Sequence, residues 1–214
     1  MPRTIQPELL DTLSPQDPDA LHSRRDLRLI NRLMGNHRWF ARHLPSRLRP
    51  GERVLEIGAG TGELAQCLTE SGARTDGLDL LPPPEGWPEF QPWHTADLRS
   101  FSEYANYHVI VGNLVFHHLS DHELEELGAR LRKGARMILA CEPARRRFSQ
   151  VMFRLLGMVF GVSYVTLHDG HVSIAGGFFG DELARALGLT ETDWVIERVS
   201  GPLGGYRMIA TRRA

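Results

Sequence analysis

The sequence predicts an α/β fold, a mostly parallel sheet covered on both faces and finished by an antiparallel hairpin. Three observations carry this. From Gly51 onward, short apolar runs alternate with segments of helical spacing, the pattern of parallel strands wrapped by helices. Gly58, Gly60 and Gly62 crowd the point where the first such strand meets the first such helix. Near the C-terminus, the strand-like runs Trp194 to Val199 and Tyr206 to Thr211 are joined by Ser-Gly-Pro-Leu-Gly-Gly. That linker cannot hold a crossover helix, so the two strands must pair antiparallel.

Residues 1–19 hold Pro2, Pro7, Pro15 and Pro18 among polar neighbours and read as a flexible arm. Leu21, Leu27, Ile30, Leu33, Met34, Phe40 and Leu44 recur at helical spacing and mark residues 20–49 as a helical N-terminal cover, broken near Gly35-Asn36. Pro50-Gly51 opens the main domain, 50–214. Arg53 to Ile57 is a buried strand, Gly62 to Ser71 a helix with Leu64, Ala65 and Leu68 on one face, and Ala73 to Asp79 a second strand. Prolines 82, 83, 84, 88 and 92 preclude a long helix before a short third strand at Trp93 to Thr95. Val109 to Val111 is the fourth strand. Ser120 and Glu123 form a capping box ahead of the stripe Leu124, Leu127 and Leu131, and Arg136 to Ala140 is the fifth strand. The hairpin raises the count to seven.

Between the fifth strand and the hairpin lies an insertion, 143–192. Phe148, Val151, Met152, Leu155, Leu156, Val159 and Phe160 follow helical spacing there, with Phe153 and Met158 widening the apolar sector. Packing on the sheet accounts for most of that stripe, and a second face can wall a pocket. Arg145-Arg146-Arg147 reads as a solvated turn, and His168-Asp169-Gly170-His171 as a loop rich in small residues.

Composition narrows the function. Of the residues 42% are hydrophobic and 24% charged, enough to build a core. Basic and acidic residues number 25 and 26, so no global positive field recruits nucleic acid. Two cysteines are too few for a disulfide framework, and no apolar run is long enough for a membrane span. A cytoplasmic enzyme is expected, of undetermined oligomeric state.

The loop Glu56-Ile57-Gly58-Ala59-Gly60-Thr61-Gly62 lets backbone turn tightly and approach a ligand. Glu63 stands where a dinucleotide fingerprint needs its third glycine, and no Gly-Lys-Ser/Thr of a P-loop is present. A glycine-rich turn without a ligand is the plain alternative. The second strand ends at Asp79, whose carboxylate at a neighbouring strand tip can accept both hydroxyls of a ribose. Asp97, one strand further out, falls near a base edge. Together these suit a nucleoside cofactor lacking a diphosphate.

The string Leu-Glu-Ile-Gly-Ala-Gly-Thr-Gly, with Asp79 closing the second strand, resembles the class I S-adenosylmethionine-dependent methyltransferases. The resemblance implies a Rossmann-like seven-stranded sheet and S-adenosyl-L-methionine as cofactor. It places Gly58 and Gly60 against the methionine part, Asp79 on the ribose, Asp97 on the adenine amine and Glu56 at the amino end. Asn113 lines the cofactor, and Ala59, Gly62, Leu80 and Leu98 complete the expected binding set.

At the fourth-strand tip, Asn113-Leu114-Val115-Phe116-His117-His118-Leu119-Ser120-Asp121 resembles a variant found among small-molecule methyltransferases of this fold. It lacks the prolines typical of relatives acting on nucleic-acid bases. Two histidines are not the hard oxygen ligands Mg²⁺ prefers, so no metal site is expected. His117 and His118 are the catalytic candidates. Either one takes the proton of an acceptor hydroxyl, or the pair is structural, capping the strand end. The His168-Asp169-Gly170-His171 loop is a second candidate source of a base or an acceptor contact. The expected acceptor is a hydroxyl on an apolar small molecule such as a phenol, quinone precursor or polyketide. A carbon or nitrogen acceptor, or a non-catalytic cofactor-binding module, are the alternatives. His37, Arg38 and Trp39 of the N-terminal cover are further candidates for contact with the cofactor carboxylate.

Overall fold

The structure, a computed structural model, describes residues 1–14 and 16–213. Pro15 of the arm lies outside the described residues, as do the side chains of Leu156 and Phe160 from the expected stripe. The sheet has seven strands: β1 Val54–Ile57, β2 Thr75–Asp79, β3 Trp93–Thr95, β4 Val109–Asn113, β5 Met137–Pro143, β6 Trp194–Gly201 and β7 Gly205–Arg212. Their order is β3-β2-β1-β4-β5-β7-β6. The first five pair in parallel, and β7 inserts antiparallel between β5 and β6. Chain order reverses beside β1, so the loops after β1, β2 and β4 gather at one edge, the crevice where such sheets bind ligands.

Among the described residues there are seven α-helices: α1 Pro18–Met34, α2 Asn36–His43, α3 Glu63–Glu70, α4 Asp121–Leu131, α5 Arg147–Phe160, α6 Tyr164–Gly176 and α7 Glu182–Ala186. Alternation along β1 splits the core. Leu55 and Ile57 face α4, Phe116 and Trp194, whereas Val54 shares the opposite layer with Trp39, Phe40, Leu64 and Leu68. Glu56 points to that second side. Gly35 ends α1 in the left-handed conformation at the expected break. The capping box forms: Ser120 Oγ accepts from Glu123 N, and Glu123 accepts from Ser120 N. Among the described residues no helix is long and apolar enough to cross a membrane.

Three local expectations differ from what is found. Residues 168–171 lie inside α6 rather than in a loop, because Ser163 caps that helix through Thr166 N and the apolar residues around them bury. Arg145 is not a solvated residue: it pairs with Glu182 and donates to Gly177 O. The α5 stripe does not bury against the sheet, since α5 packs on α6 and leaves Phe148, Val151, Leu155, Met158 and Val159 exposed.

The N-terminal arm lies along α6 and the β4 tip. Arg3 donates to the carbonyls of Gly176 (2.8 Å) and Leu119 (2.6 Å) and pairs with Asp121. The backbone amides of Leu9 and Leu10 donate to the two oxygens of buried Asp169, at 2.7 and 3.0 Å.

Candidate active site

The glycine loop leaves β1 with Gly58, Gly60 and Gly62 all at positive φ. A Cβ on Gly58 would sit 2.6 Å from Val115, so that glycine is required by packing against the β4 loop. A Cβ on Gly60 would meet open space instead, the feature of backbone cleared for a ligand. Asp79 holds this loop. Its Oδ2 accepts from Gly60 N at 2.7 Å and its Oδ1 from Leu81 N at 2.9 Å. Each oxygen keeps acceptor capacity for a further donor.

Below the loop is a cavity of about 860 Å³, within the range of ligand pockets and near its upper end. Glu56, Gly58, Ala59, Gly60, Asn113, His117 and His118 all line it. Gly62, Asp79, Leu80, Asp97 and Leu98 do not. Gly62 packs under Trp87, Leu80 is exposed, and Leu98 packs on the core. Asp97 accepts from Arg99 N and lies beside the Arg99 guanidinium. Thus the residues expected at the amino-acid end and the acceptor end line the cavity, and those expected to contact ribose and adenine do not.

Glu56 is buried, and its Oε2 has no hydrogen-bond partner among the described residues. Burial pushes its carboxyl well above the usual carboxylate range, and the nearby Asp79 charge adds to this. A cation placed in the cavity would relieve both problems at once. The residues therefore fit a cofactor with an ammonium group next to the loop. Asn113 closes the other side. It accepts from Asn36 Nδ2 at 2.9 Å and donates to Asn31 at 3.3 Å, tying α1 and α2 to the β4 tip. Leu114 follows at φ 57°, a left-handed conformation that costs a non-glycine residue energy and turns the chain toward the cavity.

The histidines are placed by a residue that sequence reasoning missed. Glu142, fully buried at the end of β5, accepts from the backbone amides of Val115 (3.0 Å), Phe116 (2.9 Å) and His117 (3.3 Å). Its Oε2 also lies 2.7 Å from His117 Nδ1. On the far side, Glu8 of the arm stands 3.6 Å from His117 Nε2 and accepts from Ser173. Burial opposes charge on His117, but the two carboxylates outweigh it and raise its pKa to about 9. His118 stacks on His117 with ring centroids 4.1 Å apart. Burial and the neighbouring imidazolium lower its pKa to about 4. Across the neutral range the pair therefore carries one positive charge, on His117, with His118 neutral beside it. Glu8, His117 and His118 each offer an atom within 4.8 Å of the others, so the trio has ligand types that could hold a divalent metal.

The remaining candidates divide between the cavity, the surface and the core. His168 and His171 are exposed on α6, although Asp169 and Gly170 between them line the cavity. Of the N-terminal trio, His37 lines the cavity with its pKa lowered by burial, Arg38 is exposed, and Trp39 is buried in the core beneath Arg207. On α5, Met152 and Phe153 line the cavity, so the helix supplies the pocket wall that its wide sector allowed.

A family model described as a methyltransferase domain matches residues 23–188, well over half of the chain. The chain belongs to this methyltransferase family. It is an S-adenosylmethionine-dependent methyltransferase with the fold that the glycine loop implied. No curated protein matched the methyltransferase in sequence. Among solved structures, the pyocyanin biosynthetic protein PhzM is similar at 19% identity and a TM-score of 0.62, over 92% of this chain and 60% of PhzM. The plantazolicin methyltransferase BpumL in complex with SAH aligns at 14% identity and 0.64, over 92% of both chains. The Burkholderia thailandensis 1,6-didemethyltoxoflavin-N1-methyltransferase aligns at 17% and 0.58, over 99% of this chain and 94% of that one. At these identities the structural likeness speaks to the fold.

Proposed function

We propose that this methyltransferase transfers the methyl group of S-adenosylmethionine to a phenolic hydroxyl on an apolar small molecule, without a metal, and that His117 handles the acceptor's proton. The observation that carries this is that His117 lines the same cavity as the glycine loop while buried Glu142 holds its ring from behind through Nδ1. S-adenosylmethionine brings an electrophilic methyl on sulfur, so the chain needs to align the acceptor and remove one proton. Glu56 and the Gly58–Gly60 backbone hold the amino-acid end, and Asp79 the ribose. Leu27, Met34, Met152 and Phe153 supply apolar wall for the acceptor. Glu142 holds the His117 ring through Nδ1 and leaves Nε2, with Glu8 3.6 Å away, as the nitrogen that takes the proton. This is the role of an orienting carboxylate behind a general base.

Proton affinity favours His117 over His118. A phenol titrates near 10, within about one unit of His117, so sharing that proton costs only about 1.4 kcal/mol. His118 at about 4 is about six units away, roughly 8 kcal/mol uphill. The 1,6-didemethyltoxoflavin-N1-methyltransferase is named for methylating a small molecule, at nitrogen, and supports a small-molecule acceptor without selecting oxygen.

Two measurements test the reading. Turnover of a phenol should rise with pH through a midpoint near 9 and level off above it, because the base is active only after losing the proton that its raised pKa retains. Glu8→Gln removes one of the carboxylates that hold that proton, so the limb should move to lower pH. A profile centred near the ordinary imidazole value and unmoved in Glu8→Gln would assign the proton elsewhere. Activity should also survive EDTA, since a protonated His117 between two carboxylates is a poor metal ligand. Loss on chelation with rescue by Zn²⁺ would convert Glu8, His117 and His118 into ligands and overturn the metal-free mechanism.

A further inference from the structure

The cavity opens through an apolar rim: Leu29 and Leu33 of α1, Phe148 of α5 and Leu203 of the hairpin turn all line it and are all exposed. Beside the rim, one stripe of α5 faces outward with Phe148 74%, Val151 57%, Leu155 49%, Met158 58% and Val159 78% exposed. A helix that packs on the body of a domain normally turns such a stripe inward. Here the inward positions are taken by Met152, Phe153 and Gly157, which line the cavity.

The charged side chains on the α1 and α5 stripes beside the rim are arginines, while exposed Asp11 of the arm also lines the cavity. Residues 143–168 contain four arginines and no carboxylate. Arg147 and Arg154 are exposed on α5, and Arg25, Arg28 and Arg32 are exposed on the α1 face that carries Leu29 and Leu33. None of these five has an ion-pair partner among the described residues. Asp26 of α1 is buried, and the nearby Asp17 and Asp19 sit at the start of α1 beside Tyr164. An apolar stripe flanked by arginines is the pattern of a helix lying in an anionic lipid interface. A second copy of the chain fits less well, because a two-fold contact between these stripes would set Arg25, Arg28, Arg32, Arg147 and Arg154 of both copies together, and neither stripe carries a carboxylate.

We propose that the α1–α5 face docks on an anionic bilayer surface and that the methyl acceptor enters the cavity from the lipid. The acceptor is then an amphiphile, its hydroxyl head reaching His117 and its apolar part passing between Leu33, Phe148 and Leu203. This rests on the apolar acceptor proposed above.

The test is flotation of the full chain with vesicles of phosphatidylcholine alone or mixed with phosphatidylglycerol. Binding should be confined to the anionic vesicles and should fall at least about tenfold between about 0.1 M and 1 M salt, where the screening length shortens about threefold. The pairs Leu155→Glu with Val159→Glu, and Arg147→Glu with Arg154→Glu, should each lower it at least about tenfold. Neither pair lines the cavity, so calorimetric binding of S-adenosylhomocysteine should stay at the wild-type value and report an intact fold. No flotation, equal flotation on both vesicles, or a concentration-dependent dimer abolished by the Leu155/Val159 pair would each overturn the docking proposal. Turnover of lipophilic phenols without vesicle binding would sink the docking and leave the acceptor assignment standing. Vesicle binding with no turnover of any apolar hydroxyl would sink the acceptor assignment instead.

Discussion

Replacing His117 with Gln is expected to lower turnover by about 10²- to 10⁴-fold, the range in which a positioned general base contributes. Glutamine keeps a polar side chain near the same place but cannot take a proton from the acceptor. Affinity for S-adenosylhomocysteine should stay near the wild-type value, because binding the product cofactor involves no proton transfer. His118→Gln should cost much less, since a group with a pKa lowered to about 4 contributes little as a base at neutral pH. A phenol carrying electron-withdrawing groups arrives partly ionised and should recover part of the lost rate in His117→Gln. If the histidines are structural, the pattern reverses: both variants lose stability or cofactor affinity, and acidic phenols rescue neither. Full turnover in both would leave the proton to solvent or to Glu8.

Asp79→Ala should weaken cofactor binding by about 1.5 to 3 kcal/mol, roughly ten- to more than a hundredfold. Two losses add. The ribose hydroxyls face a methyl group, and the Gly60 and Leu81 amides lose the carboxylate that anchors the loop. Gly60→Val should do worse. Residue 60 sits at φ 55°, where a β-branched residue is strained, and the new side chain projects into the space kept open there. Titration calorimetry with S-adenosylhomocysteine distinguishes the cases. Unchanged affinity in Asp79→Ala would move the ribose off this strand, and tight binding by Gly60→Val would move the methionine part off the loop.

Much of the scaffold was legible because its determinants are local. A strand running into Gly58, a helix leaving Gly62, the Ser120–Glu123 box and a hairpin linker too short for a helix each constrain only a few neighbouring residues. The strand alternation then leaves few ways to order the sheet. The misreadings arose where locality fails. His168 and His171 looked like loop residues because small side chains surround them, yet Ser163 caps a helix through that stretch and turns both outward. The α5 stripe looked like a buried face because helical spacing records amphipathicity and not what the apolar side meets.

From the sequence alone came the sheet with its terminal hairpin, the glycine loop, the acid at the tip of β2 and the histidine pair after β4, because backbone conformation and short-range pattern govern each of these. Tertiary structure alone decided which histidine holds the proton. Glu142 reaches His117 from the next strand and Glu8 from the far end of the chain, and neither distance is written in any local pattern. Two adjacent histidines with the same intrinsic pKa are thereby split to about 9 and about 4, by carboxylates that burial places beside one ring and not the other.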